Sequence, residues 1–158
     1  MIAMADEDDI IAYVSSGHGT TYSGGETICL WDYSVGQNGE DGSFTDVELA
    51  AAFAPAVSEI FVFLDHCYSG GMNELMSNAN GGNVYLTTTC TEDGYGYDVS
   101  TYANGAWTYW FLEAGLIGQG FTSMEACFDW AFANYPYDNK VIDSPQEFDG
   151  NPLEAFTL

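Results

Sequence analysis

Positive charge is almost missing from this 158-residue chain. There is no arginine, and Lys140 is the only lysine, against 24 aspartates and glutamates, for a formal net charge of −23. Neutralising phosphates takes a basic stripe, so nucleic-acid binding is excluded, and an anionic membrane surface would repel the chain. Long hydrophobic runs are missing too. Nothing approaches the roughly 20 apolar residues of a membrane span, and no basic-then-apolar start marks a signal peptide. The four cysteines, Cys29, Cys67, Cys90 and Cys127, are too widely spaced for a CxxC pair or a zinc-ligand rhythm. No dense disulfide framework is expected, and most of these thiols should be small buried hydrophobes. Compartment stays open: free thiols suit the cytosol, while the scarcity of Lys and Arg also suits export.

Apolar residues, by contrast, are plentiful. At 47% hydrophobic and 16% aromatic, the composition excludes intrinsic disorder despite the charge. Residues 1–158 are expected to form one soluble domain, large enough to bury about 68–70% of its unfolded surface without a staple. The acid is expected to be a solvated surface, suited to high salt or to occasional divalent-ion binding by carboxylates.

Short apolar strands alternate with helical stretches. Ile10 to Val14 reads as a strand buried on both faces, and Ile60 to Leu64 is the clearest buried strand. Further strands are expected at Thr27 to Trp31, Val84 to Thr88 and Ala155 to Leu158. Thr45-Asp46-Val47-Glu48 is a capping box opening a helix through Phe53, and Thr122-Ser123-Met124-Glu125 is a second, with a helix toward Asn134. Helices are also expected at Ala106 to Leu116 and, briefly, at Met72 to Met76. Thr89 to Asn104 is a Gly-, Tyr- and acid-rich loop, long enough to suggest function. This alternation predicts an α/β fold with a parallel sheet covered by helices.

Chemistry concentrates at two strand ends. His18 follows the first buried strand in Ser16-Gly17-His18-Gly19, and Cys67 follows the second in Asp65-His66-Cys67-Tyr68-Ser69-Gly70. Loops at the carboxyl ends of parallel strands converge on one crevice. There an imidazole can favour a thiolate and later protonate a leaving amine. The backbone N–H groups of Gly19 and Cys67 are the natural oxyanion donors. His66 is a rival base, but neighbouring residues on extended chain point opposite ways, so its ring should face away from the Cys67 thiol. A zinc site from His18, His66 and Cys67 would lack a fourth ligand at convincing spacing.

These motifs resemble those of the caspase-like cysteine peptidases, the clan of caspases, metacaspases, legumains and clostripains. Ser16-Gly17-His18-Gly19 is similar to the histidine motif of metacaspases and prokaryotic caspase homologues, and Asp65-His66-Cys67-Tyr68-Ser69-Gly70 to their Asp-x-Cys-x-Ser-Gly motif. The histidine lies about 50 residues upstream of the cysteine, as in caspases. Gly42 to Leu49 resembles a metacaspase segment, Val84 to Thr88 a legumain strand, and Gly105 to Tyr109 with Leu112 the helix after the substrate-binding loop. Ser144-Pro145-Gln146 and Phe156 to Leu158 are similar to the end of that domain.

The resemblance implies a three-layer α/β/α sandwich with a mostly parallel sheet. The family domain has a strand, a helix and another strand before its histidine strand, whereas nine residues precede Ile10 here. The expectation is therefore a fragment, a minimal domain, or an edge supplied by another chain.

By the same resemblance, His18 is the general base and Cys67 the nucleophile of a peptide-bond hydrolase acting through a thioester. Without arginine, an aspartate-binding pocket lacks its cation, so a basic P1 residue is favoured. The resemblance puts Ser16 and Asp65 in that S1 pocket, and the loop acids Glu92 and Asp93 are further candidates. Lys140 would be the one internal cleavage site. The partner is a protein or peptide substrate. No cofactor or metal is required, although metacaspases are commonly calcium-activated, and no EF-hand spacing occurs here. The competing reading is a catalytically silent caspase-like interaction module, with calcium binding by the acidic loops as a third. Oligomeric state is left open.

Overall fold

The structure is a computed structural model and describes residues 2–35, 41–137 and 142–158. The proposed cleavage point at Lys140 lies outside the described residues. The main sheet has four strands in the order β1, β5, β6, β9: β1 (Ile10–Ser16), β5 (Glu59–Asp65), β6 (Val84–Thr88) and β9 (Gln146–Asp149). The first three run parallel, and β9 pairs antiparallel with β6. With helices against both faces, this is a three-layer α/β/α arrangement.

Alternation along β5 builds the layers. Ile60, Val62 and Leu64 face a core with Leu49, Ala50 and Phe53 of helix α1 (Asp46–Phe53). Phe61 and Phe63 face the opposite core, with Phe111 from the π-type helix Thr108–Gln119 and with Met124, Cys127, Phe128 and Ala131 from helix α2 (Met124–Asn134). Successive side chains on a strand point to opposite faces. These five β5 residues are 0–2% exposed, and each full burial contributes about 1.5–3 kcal/mol.

A hairpin leaves the end of β1: β2 (Gly19–Tyr22) and β3 (Gly25–Cys29), extended by β4 (Ser43–Thr45). It is fastened to α1 through Asp46, whose carboxylate accepts from the Tyr22 hydroxyl at 2.7 Å and from the Glu26 N–H at 3.1 Å. The capping box at Thr45 forms in full: Glu48 N–H donates to Thr45 Oγ1, and Thr45 N–H to the Glu48 carboxylate. At the second predicted box the cap is Ser123, which accepts from Ala126 N–H, while the Glu125 carboxylate accepts from the Ser123 hydroxyl at 2.6 Å and from Phe156 N–H at 2.7 Å.

Three expectations are corrected. β1 is not buried on both faces; it is an edge strand in which only Ile11 is buried, while Ile10 and Val14 are 42% and 52% exposed. The closing strand is the polar Gln146–Asp149, whereas residues 155–158 contribute a single bridge, Ser123 to Thr157. Within the loop 89–104, Asp98–Val99 (β7) pairs with Asn104–Gly105 (β8), so its last part is a small hairpin. Among the described residues no helix is long and apolar enough to cross a membrane.

Candidate active site

β1 and β5 are paired in parallel with Ser16 opposite Asp65, and Gly17 N–H donates to the Asp65 carbonyl at 3.1 Å. Neighbouring strands run about 4.8 Å apart. Both chains therefore leave the sheet side by side, with Gly17-His18 next to His66-Cys67. His18 is exposed and Cys67 half-buried.

Two features hold the His18 turn against the Cys67 turn. The first is Gly19, where a Cβ would overlap the Cys67 carbonyl oxygen and approach His66 Cβ to 3.1 Å. Only glycine allows that approach. Cys29 N–H donates to the His18 carbonyl at 2.9 Å, so the next pair in the ladder, Gly19 with Ile28, is non-hydrogen-bonded. That alternation turns the Gly19 N–H out of the hairpin, as an oxyanion donor requires. Gly19→Ala is expected to cost about 1–3 kcal/mol of stability as the backbone yields, measured by denaturant unfolding. A variant as stable as the wild type would remove the close approach from the argument.

The second feature is His66. It is 2% exposed, and its ring turns away from the thiol: Nδ1 lies 3.2 Å from the His18 carbonyl oxygen and Nε2 2.9 Å from Ser15 Oγ. A carbonyl only accepts, so Nδ1 carries the proton and donates to His18, and Nε2 accepts from the Ser15 hydroxyl. Burial lowers the His66 pKa from 6.5 to about 4. Both nitrogens are engaged, which suits a clamp on the His18 turn and not a base.

The loop after Cys67 is tightly braced. Tyr68 adopts the left-handed conformation, φ 62°, and its N–H donates to the Gly94 carbonyl at 2.8 Å. The Cys67 thiol donates to the Gly96 carbonyl at 3.8 Å. Buried Cys90 donates to the His66 carbonyl at 3.4 Å. All four cysteines are free thiols; Cys90 and Cys127 are buried, while Cys29 and Cys67 are half-buried. Burial raises the Cys29 pKa, and the field of Cys67 adds to the rise; Cys29 lines one cleft together with His18. Nothing in the motif pattern singled Cys29 out.

Of the expected S1 residues, the structure brings two together. Asp65 is 4% exposed; its Oδ2 accepts from the Thr108 N–H at 2.8 Å and hydroxyl at 2.7 Å, at the start of the π-type helix. Gly105 lies against both Asp65 and Ser16: a Cβ there would overlap Asp65 Oδ2 and come within 3.2 Å of Ser16 Oγ. Gly105 is itself buried, and its bare backbone packs directly on this pair. Burial raises the Asp65 pKa, the Thr108 bonds oppose it, and the field of Asp98 adds to the rise. Asp98 was not foreseen; it sits on β7, whose pairing with Gly105 no local pattern announced.

Exposed Glu92 and Asp93 serve a different neighbourhood. Glu92 lines a cleft with Gly70, Thr91, Gln146 and Phe148, and the fields of both acids act on Glu26. Glu26, already raised by burial, is raised further by Asp46, Glu74, Glu92 and Asp93. Among the described residues no group of three or more His, Cys, Asp or Glu side chains is arranged to hold a metal ion.

No family model matches the sequence, and no curated protein matches it. The fold is similar to that of protein GSU0716 from Geobacter sulfurreducens, a crystal structure that aligns with a TM-score of 0.64 at 20% sequence identity, over 96% of this chain and 70% of that one. At this identity the likeness bears on the fold alone.

Proposed function

We propose that this chain is a cysteine endopeptidase of the caspase-like type, cleaving after Arg or Lys. The observation that carries the reading is the in-register β1–β5 pair, which sets the His18 and Cys67 turns side by side with Gly19 wedged between them. His18 accepts the Cys67 thiol proton as sulfur attacks the scissile carbonyl carbon. The N–H groups of Gly19 and Cys67 meet the oxyanion. The C–N bond then breaks while His18 returns the proton to the leaving amine. Water hydrolyses the thioester, releasing the acid and restoring the thiol.

Specificity for a basic residue rests on Asp65, with Ser16 beside it. A guanidinium or ammonium reaching Asp65 would give this buried carboxylate a counter-charge, in a chain whose net charge of −23 favours cationic ligands throughout. Glu92 and Asp93 contribute to that general field. No cofactor is needed for these steps, and calcium enters the proposal only as an activator.

The test is a positional library of fluorogenic peptides, run on wild type and Cys67→Ala, with calcium and with a chelator. Turnover confined to Arg or Lys at P1, and absent in Cys67→Ala, is expected. Asp65→Asn keeps a carbonyl oxygen for Thr108 but loses the charge. It should lower kcat/KM for basic P1 residues roughly 30- to 160-fold, from loss of about 2–3 kcal/mol of charge-assisted bonding. A folded protein that neither turns over any peptide nor reacts with a peptidyl thiol-directed inhibitor would instead be a silent caspase-like module, a reading favoured by the open edge of β1.

A further inference from the structure

Beside His18 lies a cleft of ≈ 640 Å³ lined by Gly17, His18, Cys29, Leu30, Trp31 and Tyr33. Among the described residues its walls carry no acidic side chain, in a chain with 24 of them. Trp31 is 86% exposed, Leu30 42% and Tyr33 41%. An exposed apolar patch of this kind marks a binding surface, and this one shares a wall with the candidate general base. Cys67, Asp65 and Ser16 do not line it.

We propose that this cleft is the leaving-group subsite, and that it takes a bulky apolar or aromatic side chain on the residue following the scissile bond. The inference rests on the peptidase reading. During acyl transfer the two halves of the substrate part company: the acyl half stays on Cys67 sulfur, while the amine half must sit within hydrogen-bond reach of the imidazole that protonates it. The chain therefore runs from Asp65 and Ser16, across Cys67, to His18 and onward. On that path, the cleft whose wall is His18 itself receives the departing residue. Asp65 then selects a cation on one side of the bond, and Leu30, Trp31 and Tyr33 select an apolar side chain on the other.

The experiment uses internally quenched peptides that share an Arg before the bond and differ only in the residue after it: Leu, Phe, Gly or Asp. Wild type should prefer Leu and Phe over Gly by roughly ten- to 200-fold in kcat/KM, the range an apolar pocket gives, with Asp the poorest. In Trp31→Ala and Tyr33→Ala the Leu-to-Gly ratio should collapse toward unity. Trp31 is almost wholly exposed, so its removal empties no core. A substrate-like inhibitor that ends at the Arg and alkylates the thiol, with no residue beyond, separates the two ideas. Labelling of Cys67 together with a flat preference after the bond, or a preference unmoved in both variants, overturns the subsite while leaving the peptidase. Absence of both labelling and cleavage overturns the peptidase and the subsite together.

Discussion

Removing the His18 imidazole and removing the Cys67 sulfur should each lower kcat/KM on an Arg-containing peptide by a factor on the order of 10⁴ to 10⁶, and removing both should lower it no further. The expectation of a shared floor follows from the chemistry: without the base the thiol is a poor nucleophile, and without the sulfur the base has nothing to activate. Groups that act as one unit lose their whole contribution at the first deletion. The measurement is a double-mutant cycle of His18→Ala and Cys67→Ala, read by single-turnover kinetics on equal amounts of folded protein. His18 is exposed and Cys67 half-buried, so neither truncation opens a core cavity. Effects that multiplied in the double variant would mean that the two groups act separately, and would end the assignment of a dyad. A His66→Ala variant serves as the contrast: its ring is engaged with Ser15 and the His18 carbonyl, so its loss disturbs the turn and should leave residual turnover above that floor.

The two site turns were legible because each is a local event. An apolar run such as Phe61-Val62-Phe63-Leu64 followed abruptly by Asp-His-Cys-Tyr-Ser-Gly can only be a buried strand meeting a loop, and β5 ends at Asp65 accordingly. Capping boxes are local as well, and Thr45 behaves as its neighbours dictate. What the pattern could not carry was partnership. Ile10 to Val14 has the letters of a central strand, yet whether a strand is central depends on what lies beyond it, and among the described residues β1 pairs only with β5. Gln146-Glu147-Phe148-Asp149 has almost no strand signal; it forms because β6 offers an edge and Tyr85 donates to Glu147 at 2.5 Å. The pairing of Asp98 with Gly105, which brings a second acid toward Asp65, is a contact of the same non-local kind. Strand formation at such places is a property of the surroundings more than of the residues.

Between pH 6.5 and 4 the wild type should lose about 3 kcal/mol of stability relative to His66→Gln. The imidazole of His66 is held neutral by burial, its pKa falling from 6.5 in the unfolded chain to about 4. A depressed histidine pKa means that the unfolded state binds the proton first. The stabilisation is therefore complete above 6.5, declines as pH falls through the window, and is gone below about 4; a gap of 2.5 units at 1.36 kcal/mol each gives the size. Comparison with the variant is essential, because Asp65, Glu26, Glu74 and Glu147 are all pushed upward, chiefly by burial. Those carboxyls act with the opposite sign and strengthen the fold on acidification. Subtracting the variant's unfolding free energy at each pH cancels their share and leaves that of residue 66. A difference that stayed constant across the window would mean that the ring is hydrated and free to charge, and the clamp on the His18 carbonyl would go with it. If the difference follows the expected curve, acid has a second consequence. Protonated Nε2 must donate where it had accepted, so the Ser15 hydroxyl has to turn its own proton elsewhere, while Nδ1 keeps its bond to the His18 carbonyl.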